Sequence, residues 1–128
     1  MDTFTIQEYI QLVEDDFQAS KAVVQESGFW CELLKSHPDL KEAIVMNKFL
    51  PEDVLVTFAK DVDDRIRSLV AMKRRLPVAI FELLASDNNE AVRLAIARNP
   101  KVPHDILQRM KQDSWEEIRG IITRRLEE

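Results

Sequence analysis

The stretch that decides the fold runs from Leu76 to Lys101 and reads LPVAIFELLASDNNEAVRLAIARNPK. Two further segments align with it without gaps: LPEDVLVTFAKDVDDRIRSLVAMKRR over residues 50–75, and VPHDILQRMKQDSWEEIRGIITRRLEE over residues 102–128. Three residue types recur every 26 residues in these segments: Pro51, Pro77 and Pro103; Asp61, Asp87 and Asp113; Arg67, Arg93 and Arg119. Self-similarity at a fixed period of this length is typical of a repeat architecture.

Each repeat is predicted to form two short helices. Its proline stands near the first helical position, where the missing N–H costs nothing. Apolar residues follow at helical spacing, as in Ile80, Phe81 and Leu84. The recurring aspartate then marks a turn, and a second helix carries Val92 and Ile96. This second helix begins in acidic residues and ends in basic ones, an arrangement that suits the helix macrodipole.

One such helix pair cannot bury its apolar stripes alone, so neighbouring pairs are expected to stack into an α-solenoid. Residues 28–49 resemble the repeat loosely and are predicted to form a degenerate copy. Residues 1–27 do not fit it. There, Thr5 and Glu8 suggest a capping box at the start of a helix that Ser27–Gly28 would end. We therefore expect an all-α single domain over residues 1–128, with an N-terminal capping helix at 1–27 and about four two-helix repeats at 28–49, 50–75, 76–101 and 102–128. Residues 1–27 could alternatively be an arm that binds a partner.

The segment from Val92 to Pro100, VRLAIARNP, followed by Val102-Pro103, resembles the leucine-rich repeat variant family. The Pro, Asp and Val-Arg pattern also resembles HEAT repeats. The resemblance covers residues 50–126 well and residues 29–49 loosely. It implies a right-handed, all-helical superhelix and says little about function. Some members of the variant family carry a cysteine-ligated iron–sulfur cluster before the repeats. The single cysteine, Cys31, cannot supply one, so no cofactor is expected.

The composition indicates a small globular protein without a membrane segment. The 128 residues are 45% hydrophobic and 32% charged, with a formal net charge of −5. Residues 1–64 hold 14 acids and 5 bases, whereas residues 65–128 hold 9 acids and 13 bases. Such a split can steer an oppositely charged partner, or it can simply give a chain two differently charged ends. A cytoplasmic location is the simplest expectation.

The recurring arginines and aspartates admit two interpretations. The arginines could form a row of cations for phosphates or carboxylates. We favour a structural ladder instead, in which Arg67, Arg93 and Arg119 pair with Asp61, Asp87 and Asp113 of the same or the adjacent repeat. Such pairs knit neighbouring copies together in HEAT-type repeats.

A second group of cations recurs at one place in the repeat, so it would line up along one edge of a solenoid. Its members are Lys73, Arg74, Arg75, Arg98, Lys101, Arg124 and Arg125. A ridge of this kind could hold a nucleic-acid backbone. Few aromatic residues interleave with these cations and the whole chain is acidic, so nucleic acid is the less favoured partner.

Catalysis and metal binding find little support in the sequence. His37 and His104 lie in turns beside prolines, and no phosphate loop, HExxH motif or nucleophile elbow occurs. We expect no enzyme, no catalytic residue and no metal site. Trp30 is predicted to be a core residue. Trp115 lies where the other repeats have Asp63 and Asn89, so it is either a contact residue or a cover for the last repeat.

The leading hypothesis is a non-enzymatic protein-interaction module. In its sharper form the chain is a small acidic inhibitor, such as an immunity protein that neutralises a basic toxin or nuclease. The candidate contact residues for that partner are Asp15, Asp16, Asp61, Asp63, Asp64 and Trp115. A nucleic-acid-binding protein and a structural or assembly adaptor are the alternatives.

Overall fold

The computed structural model describes residues 4–127, and all regular secondary structure within them is helical. The prediction of an all-α chain is therefore confirmed for this part of the sequence. Residues 1–3 and 128, which fall in the predicted N-terminal helix and last repeat, lie outside the described residues. The helices pack into two compact units that divide between Thr57 and Phe58, within the segment predicted as the repeat 50–75.

The first unit begins with α1 (Ile6–Asp15), α2 (Phe17–Ser20) and α3 (Ser27–Ser36). A 3-10 turn (Pro38–Leu40) leads into α4 (Lys41–Val45). Its core contains an aromatic cluster in which the Tyr9 and Trp30 rings meet edge to face, with centroids 5.3 Å apart. Both of these side chains are fully buried. Such edge-to-face ring contacts stabilise a core beyond the area that they bury.

The prediction of a single helix over residues 1–27 is wrong, because two breaks divide this segment. Thr5 does cap α1, since its hydroxyl accepts the N–H of Glu8 at 3.1 Å. The helix stops at Asp16, whose φ of −150° is not helical and whose carboxylate accepts the N–H of Ala19 to start α2. Ser27–Gly28 begins α3 rather than ending a helix. An aspartate that caps the next turn competes with helix continuation, and the apolar spacing alone did not reveal this.

The second unit contains five complete helices, α6 to α10, and α5 (Glu52–Ala59) crosses the division between the units. The five are α6 (Asp64–Ala71), α7 (Val78–Ala85), α8 (Glu90–Arg98), α9 (His104–Arg109) and α10 (Glu116–Leu126). A 3-10 turn at Met110–Gln112 follows α9. Each of α5, α7 and α9 begins 26 residues after the one before it, and so does each of α6, α8 and α10.

Within the second unit the even-numbered helices form one row, since α6 packs on α8 and α8 on α10. Helix α7 packs on α6, α8 and α9, and α9 also packs on α10. The apolar stripes point between these helices. The buried side chains include Phe58, Ile66, Val70, Ile80, Phe81, Leu84, Val92, Ile96, Ile106, Leu107, Ile118 and Ile122. Pro77 and Pro103 occupy the residue just before α7 and α9, at φ of −60°, where their fixed backbone angle suits a helix start.

Candidate interaction surfaces

Arginine side chains link successive turns of the second unit. Arg67 Nε lies 2.8 Å from Asp87 Oδ2, and Arg67 Nη2 lies 3.2 Å from Asp87 Oδ1. Arg93 repeats this fork on Asp113, at 2.9 and 3.4 Å. Paired N–H donors on one carboxylate combine charge and fixed geometry, so these are strong contacts. The side chains are mostly buried, at 14% and 9% exposure for the first pair and 14% and 6% for the second.

The third nitrogen of each arginine reaches back to its own turn. Nη1 of Arg67 donates to the backbone carbonyl oxygen of Asp61. Nη1 of Arg93 and of Arg119 donates in the same way to the carbonyl oxygens of Asp87 and Asp113, and the three distances are 2.6–2.8 Å. The aspartates also close their turns, since Oδ1 of Asp87 and of Asp113 accepts the N–H two residues ahead at 2.9 Å. Each arginine is thus six residues from one partner and, for Arg67 and Arg93, 20 residues from the other. Hydrogen bonding to Asp87 raises the pKa of the Arg67 guanidinium above its ordinary value.

A second recurring contact, absent from the sequence-based expectations, closes the ends of the helices. Asn99 Nδ2 donates to the carbonyl oxygens of Ala71 and Lys73 at 2.7 Å each, and its Oδ1 accepts the N–H of Lys101. Asn47 makes the same kind of contact in the first unit, to the carbonyls of Ser20 and Val23. A recurrence of asparagine at twice the 26-residue period was the one signal in the sequence that could have revealed this role.

Arg125 stands 26 residues after Asn99 and takes over this contact. Its Nη1 donates to the carbonyl oxygens of Ala97 and Asn99 at 2.6 and 2.8 Å. Guanidinium nitrogens at these distances satisfy carbonyl groups that the helix end leaves without a partner. Arg125 therefore has a structural role, although the charge pattern placed it among the ridge cations.

The predicted basic ridge contains residues in different environments. Arg74, Lys101 and Arg124 are exposed, as is Arg75. Arg98 is also exposed, and its Nη2 lies 3.6 Å from Glu117 Oε1. Lys73 is half-buried, and desolvation lowers its pKa from 10.5 to about 8. A lysine with that pKa carries only part of its charge in mildly alkaline solution, so the positive charge of the ridge is weakest at this position.

The acidic candidates have contacts within their own units. Asp15 accepts the side-chain amide of Gln11, and Asp16 caps α2. In the second unit, Asp61 accepts the N–H of Asp63, Asp63 accepts the N–H of Arg65, and Asp64 accepts the side-chain amide of Asn89. Asp15, Asp16 and Asp64 are exposed, whereas Asp61 and Asp63 are half-buried. Asp15 and Asp16 belong to a different unit from Asp61, Asp63 and Asp64.

Trp115 occupies a helix N-cap without capping it. Asp63 and Asn89, at the equivalent positions before α6 and α8, accept backbone N–H groups through their side chains. Trp115 precedes α10 and makes no side-chain cap bond. Replacing a polar cap with a residue that cannot accept an N–H typically costs about 1 kcal/mol of helix stability. The half-buried indole therefore stands at a position where a polar residue would have stabilised the helix.

An apolar groove of about 320 Å³ runs beside α8 in the second unit. Its lining residues are Met72, Ala91, Leu94, Ala95, Arg98, Asn99 and Pro100. Met72 is 65% exposed, and Arg98 supplies an exposed cation to the same groove. A concave apolar surface with one charged group can bind an apolar side chain and orient it.

Among residues 4–127, no cluster of three His, Cys, Asp or Glu side chains has a geometry that could hold a metal ion. None of the helices over this same range has the length and apolarity needed to cross a bilayer. Comparison of the chain with protein-family models, with curated proteins and with solved structures finds no match.

Proposed function

We propose that the chain is a non-enzymatic protein-interaction module built on a right-handed α-solenoid of HEAT-like or leucine-rich-repeat-variant type. The observation that carries this proposal is the groove beside α8, which is lined by the apolar Met72 and Leu94 and also by Arg98. The 26-residue spacing of the helix starts supports the solenoid architecture. A groove of this composition fits an apolar side chain that has a carboxylate nearby, so the partner is a protein segment of that kind.

The binding test uses the intact chain as bait in extracts of its native host, followed by affinity measurement with the captured protein. Ala91 is exposed on the first turn of α8 and lines the groove. Replacing it by arginine, Ala91→Arg, fills the groove without touching the core, so binding should weaken tenfold or more. Ala79→Arg is the matched control, because Ala79 is an exposed alanine on the first turn of α7 and is not a groove residue. Equal affinity of the two variants would contradict the groove as the binding site.

In its sharper form the proposal is that the partner is a basic toxin or nuclease and the chain is its inhibitor. The excess of acids in residues 1–64 supports this version. Its candidate contacts are the exposed carboxylates of Asp15 and Asp16 in the first unit and, separately, the exposed carboxylate of Asp64 with Trp115 in the second. Replacing these aspartates by asparagine should slow association most strongly at low salt. An unchanged association rate would exclude them as contacts.

Nucleic acid is the second candidate partner, because Arg74, Lys101 and Arg124 are exposed cations on the second unit. Phosphate contacts make affinity fall steeply with salt, so a DNA titration at 50 and 200 mM salt tests this candidate. A steep loss that Arg124→Gln reduces would favour nucleic acid over protein. The third candidate, an assembly adaptor, predicts self-association of the chain in ultracentrifugation.

A further inference from the structure

The arginine ladder of the second unit has three guanidinium groups and two carboxylates that join successive turns. Arg119 keeps the contact with its own turn, since its Nη1 lies 2.6 Å from the carbonyl oxygen of Asp113. Arg67 and Arg93 also use Nε and Nη2, which hold the carboxylates of Asp87 and Asp113. Within residues 4–127, no group forms a hydrogen bond or ion pair with the Nε and Nη2 edge of Arg119.

The open edge of Arg119 is oriented before any ligand arrives. The bond from Nη1 to Asp113 fixes one side of a planar group, and the half-buried position of Arg119 restricts the rest of the side chain. A guanidinium held in this way presents Nε and Nη2 as two parallel donors whose spacing matches the two oxygens of a carboxylate. Because the fork is already oriented, little further side-chain freedom is lost when a carboxylate binds.

We propose that the Nε and Nη2 edge of Arg119 binds the carboxylate of an aspartate that a partner protein presents at the start of one of its helices. The ladder shows which carboxylate suits the fork. In Asp87 and Asp113, the oxygen Oδ1 also accepts the N–H two residues ahead, and a helix follows that turn. The turn holds the carboxylate outward in the direction that the arginine needs. This inference rests on the proposed role in protein binding and assigns one contact of it.

The neighbourhood of Arg119 favours polar recognition over an extension of the apolar core. Thr123 lies one helical turn after Arg119, is exposed, and donates its hydroxyl to the Arg119 carbonyl. The equivalent residues of α6 and α8 are Ala71 and Ala97, which are fully buried. Trp115 lies one turn before Arg119 and is half-buried. Arg119 is thus flanked along the chain by an exposed threonine and a half-buried tryptophan, and its guanidinium lies at the Asp113 carbonyl, where one well-placed carboxylate supplies the specificity.

The test follows the Nε–Hε signals of Arg67, Arg93 and Arg119 by NMR in the full chain. In the free protein, the signals of Arg67 and Arg93 should exchange slowly with water and that of Arg119 quickly. The probe is the capped peptide acetyl-SDNNEA-amide, which copies residues 86–91, and the control peptide carries asparagine in place of its aspartate. The probe should shift and protect the Arg119 signal alone, with at least a tenfold larger effect than the control. Slow exchange of Arg119 before any addition, or equal effects of the two peptides, would overturn the proposal.

A second measurement separates this contact from protein binding in general. Arg119→Lys keeps the positive charge but loses the paired Nε and Nη2 donors. The affinity for the captured partner should therefore fall about tenfold or more. Arg109→Gln is the control, since Arg109 is an exposed arginine that pairs with Glu82 and Asp105. If Arg119→Lys binds the partner as tightly as wild type, the carboxylate site is wrong while the interaction module stands. If neither the wild type nor Arg119→Lys captures a protein, the proposed function fails. The peptide titration alone then decides whether Arg119 binds a carboxylate.

Discussion

Arg93 and Asp113 form a two-pronged contact across 20 residues of chain, with Arg93 Nε 2.9 Å from Asp113 Oδ2 and Nη2 3.4 Å from Oδ1. The aspartate is simultaneously part of the turn before α10, because its Oδ1 accepts the N–H of Trp115. One carboxylate therefore fixes the start of a helix and joins that helix to the preceding turn. Contacts of this kind make local structure and tertiary packing depend on each other.

Loss of this contact should be costly. Arg93→Gln leaves a nearly buried carboxylate without its cation, and the free energy of unfolding should fall by about 2–3 kcal/mol. Urea unfolding followed by circular dichroism measures the change. Arg65→Gln is the control, since Arg65 pairs with Asp63 at the surface with 77% of its side chain exposed, and it should cost less than about 1 kcal/mol. Similar losses for both variants would show that burial of the Arg93 pair does not matter.

Asn99 should be as important as a ladder arginine, despite its lack of charge. Asn99→Ala removes both donors to the carbonyls of Ala71 and Lys73 and the acceptor for Lys101 N–H. Buried groups left without partners should lower the free energy of unfolding by about 2–3 kcal/mol. Asn88→Ala is the comparison, because Asn88 is exposed and its only described contact is a 3.4 Å approach to Arg67. This variant should stay within about 0.5 kcal/mol of wild type.

The lowered pKa of Lys73 predicts that the stability of the chain rises with pH. Burial lowers its pKa in the folded chain to about 8, below the ordinary value of 10.5. Between these values the unfolded state binds more protons, so the free energy of unfolding increases as the pH rises from about 8 toward 10.5. Unfolding of wild type and Lys73→Met at pH 7.5 and 9.5 isolates the contribution of this lysine. The wild type should gain stability relative to the variant over that interval, and parallel behaviour would contradict the assignment.

The raised pKa of Tyr9 predicts that stability falls with pH at higher pH. Its hydroxyl is buried without a hydrogen-bond partner among the described residues, and desolvation raises its pKa to about 12. Above pH 10 the unfolded state loses this proton while the folded state keeps it, so stability should fall between pH 10 and 12. Tyr9→Phe should remove that part of the fall and cost nothing at pH 7, with a gain of up to about 1 kcal/mol. A loss above 1 kcal/mol at pH 7 would mean that the hydroxyl has an unseen partner.

The all-helical architecture could be predicted because the period of the apolar residues is a local property of the sequence. The helix starts in residues 52–126 could also be placed from local sequence, since α5, α7 and α9 begin directly after a proline and α6, α8 and α10 begin at an acidic residue. The sequence-based expectations did not include the Asn99 contact, since its carbonyl partners lie 26 and 28 residues away and are chosen by packing. The groove was not predicted, because helix packing decides whether a side chain such as Ala95 faces the core or a groove. Ala95 is half-buried in the structure and lines the groove.

The ladder also constrains how the length of this chain can change. Each of Arg67 and Arg93 reaches six residues back and 20 residues ahead, and the two distances together equal one repeat period. Insertion or deletion of a whole 26-residue block between equivalent positions therefore leaves every donor of the ladder opposite an acceptor of the same kind. A block one residue shorter or longer changes the spacing between the arginine and the aspartate on either side of the change, so that this one pair is lost while the later pairs keep their own spacing. We expect natural length variants of this chain to differ in steps of 26 residues within the second unit, with duplication of a whole block as the tolerated route to growth.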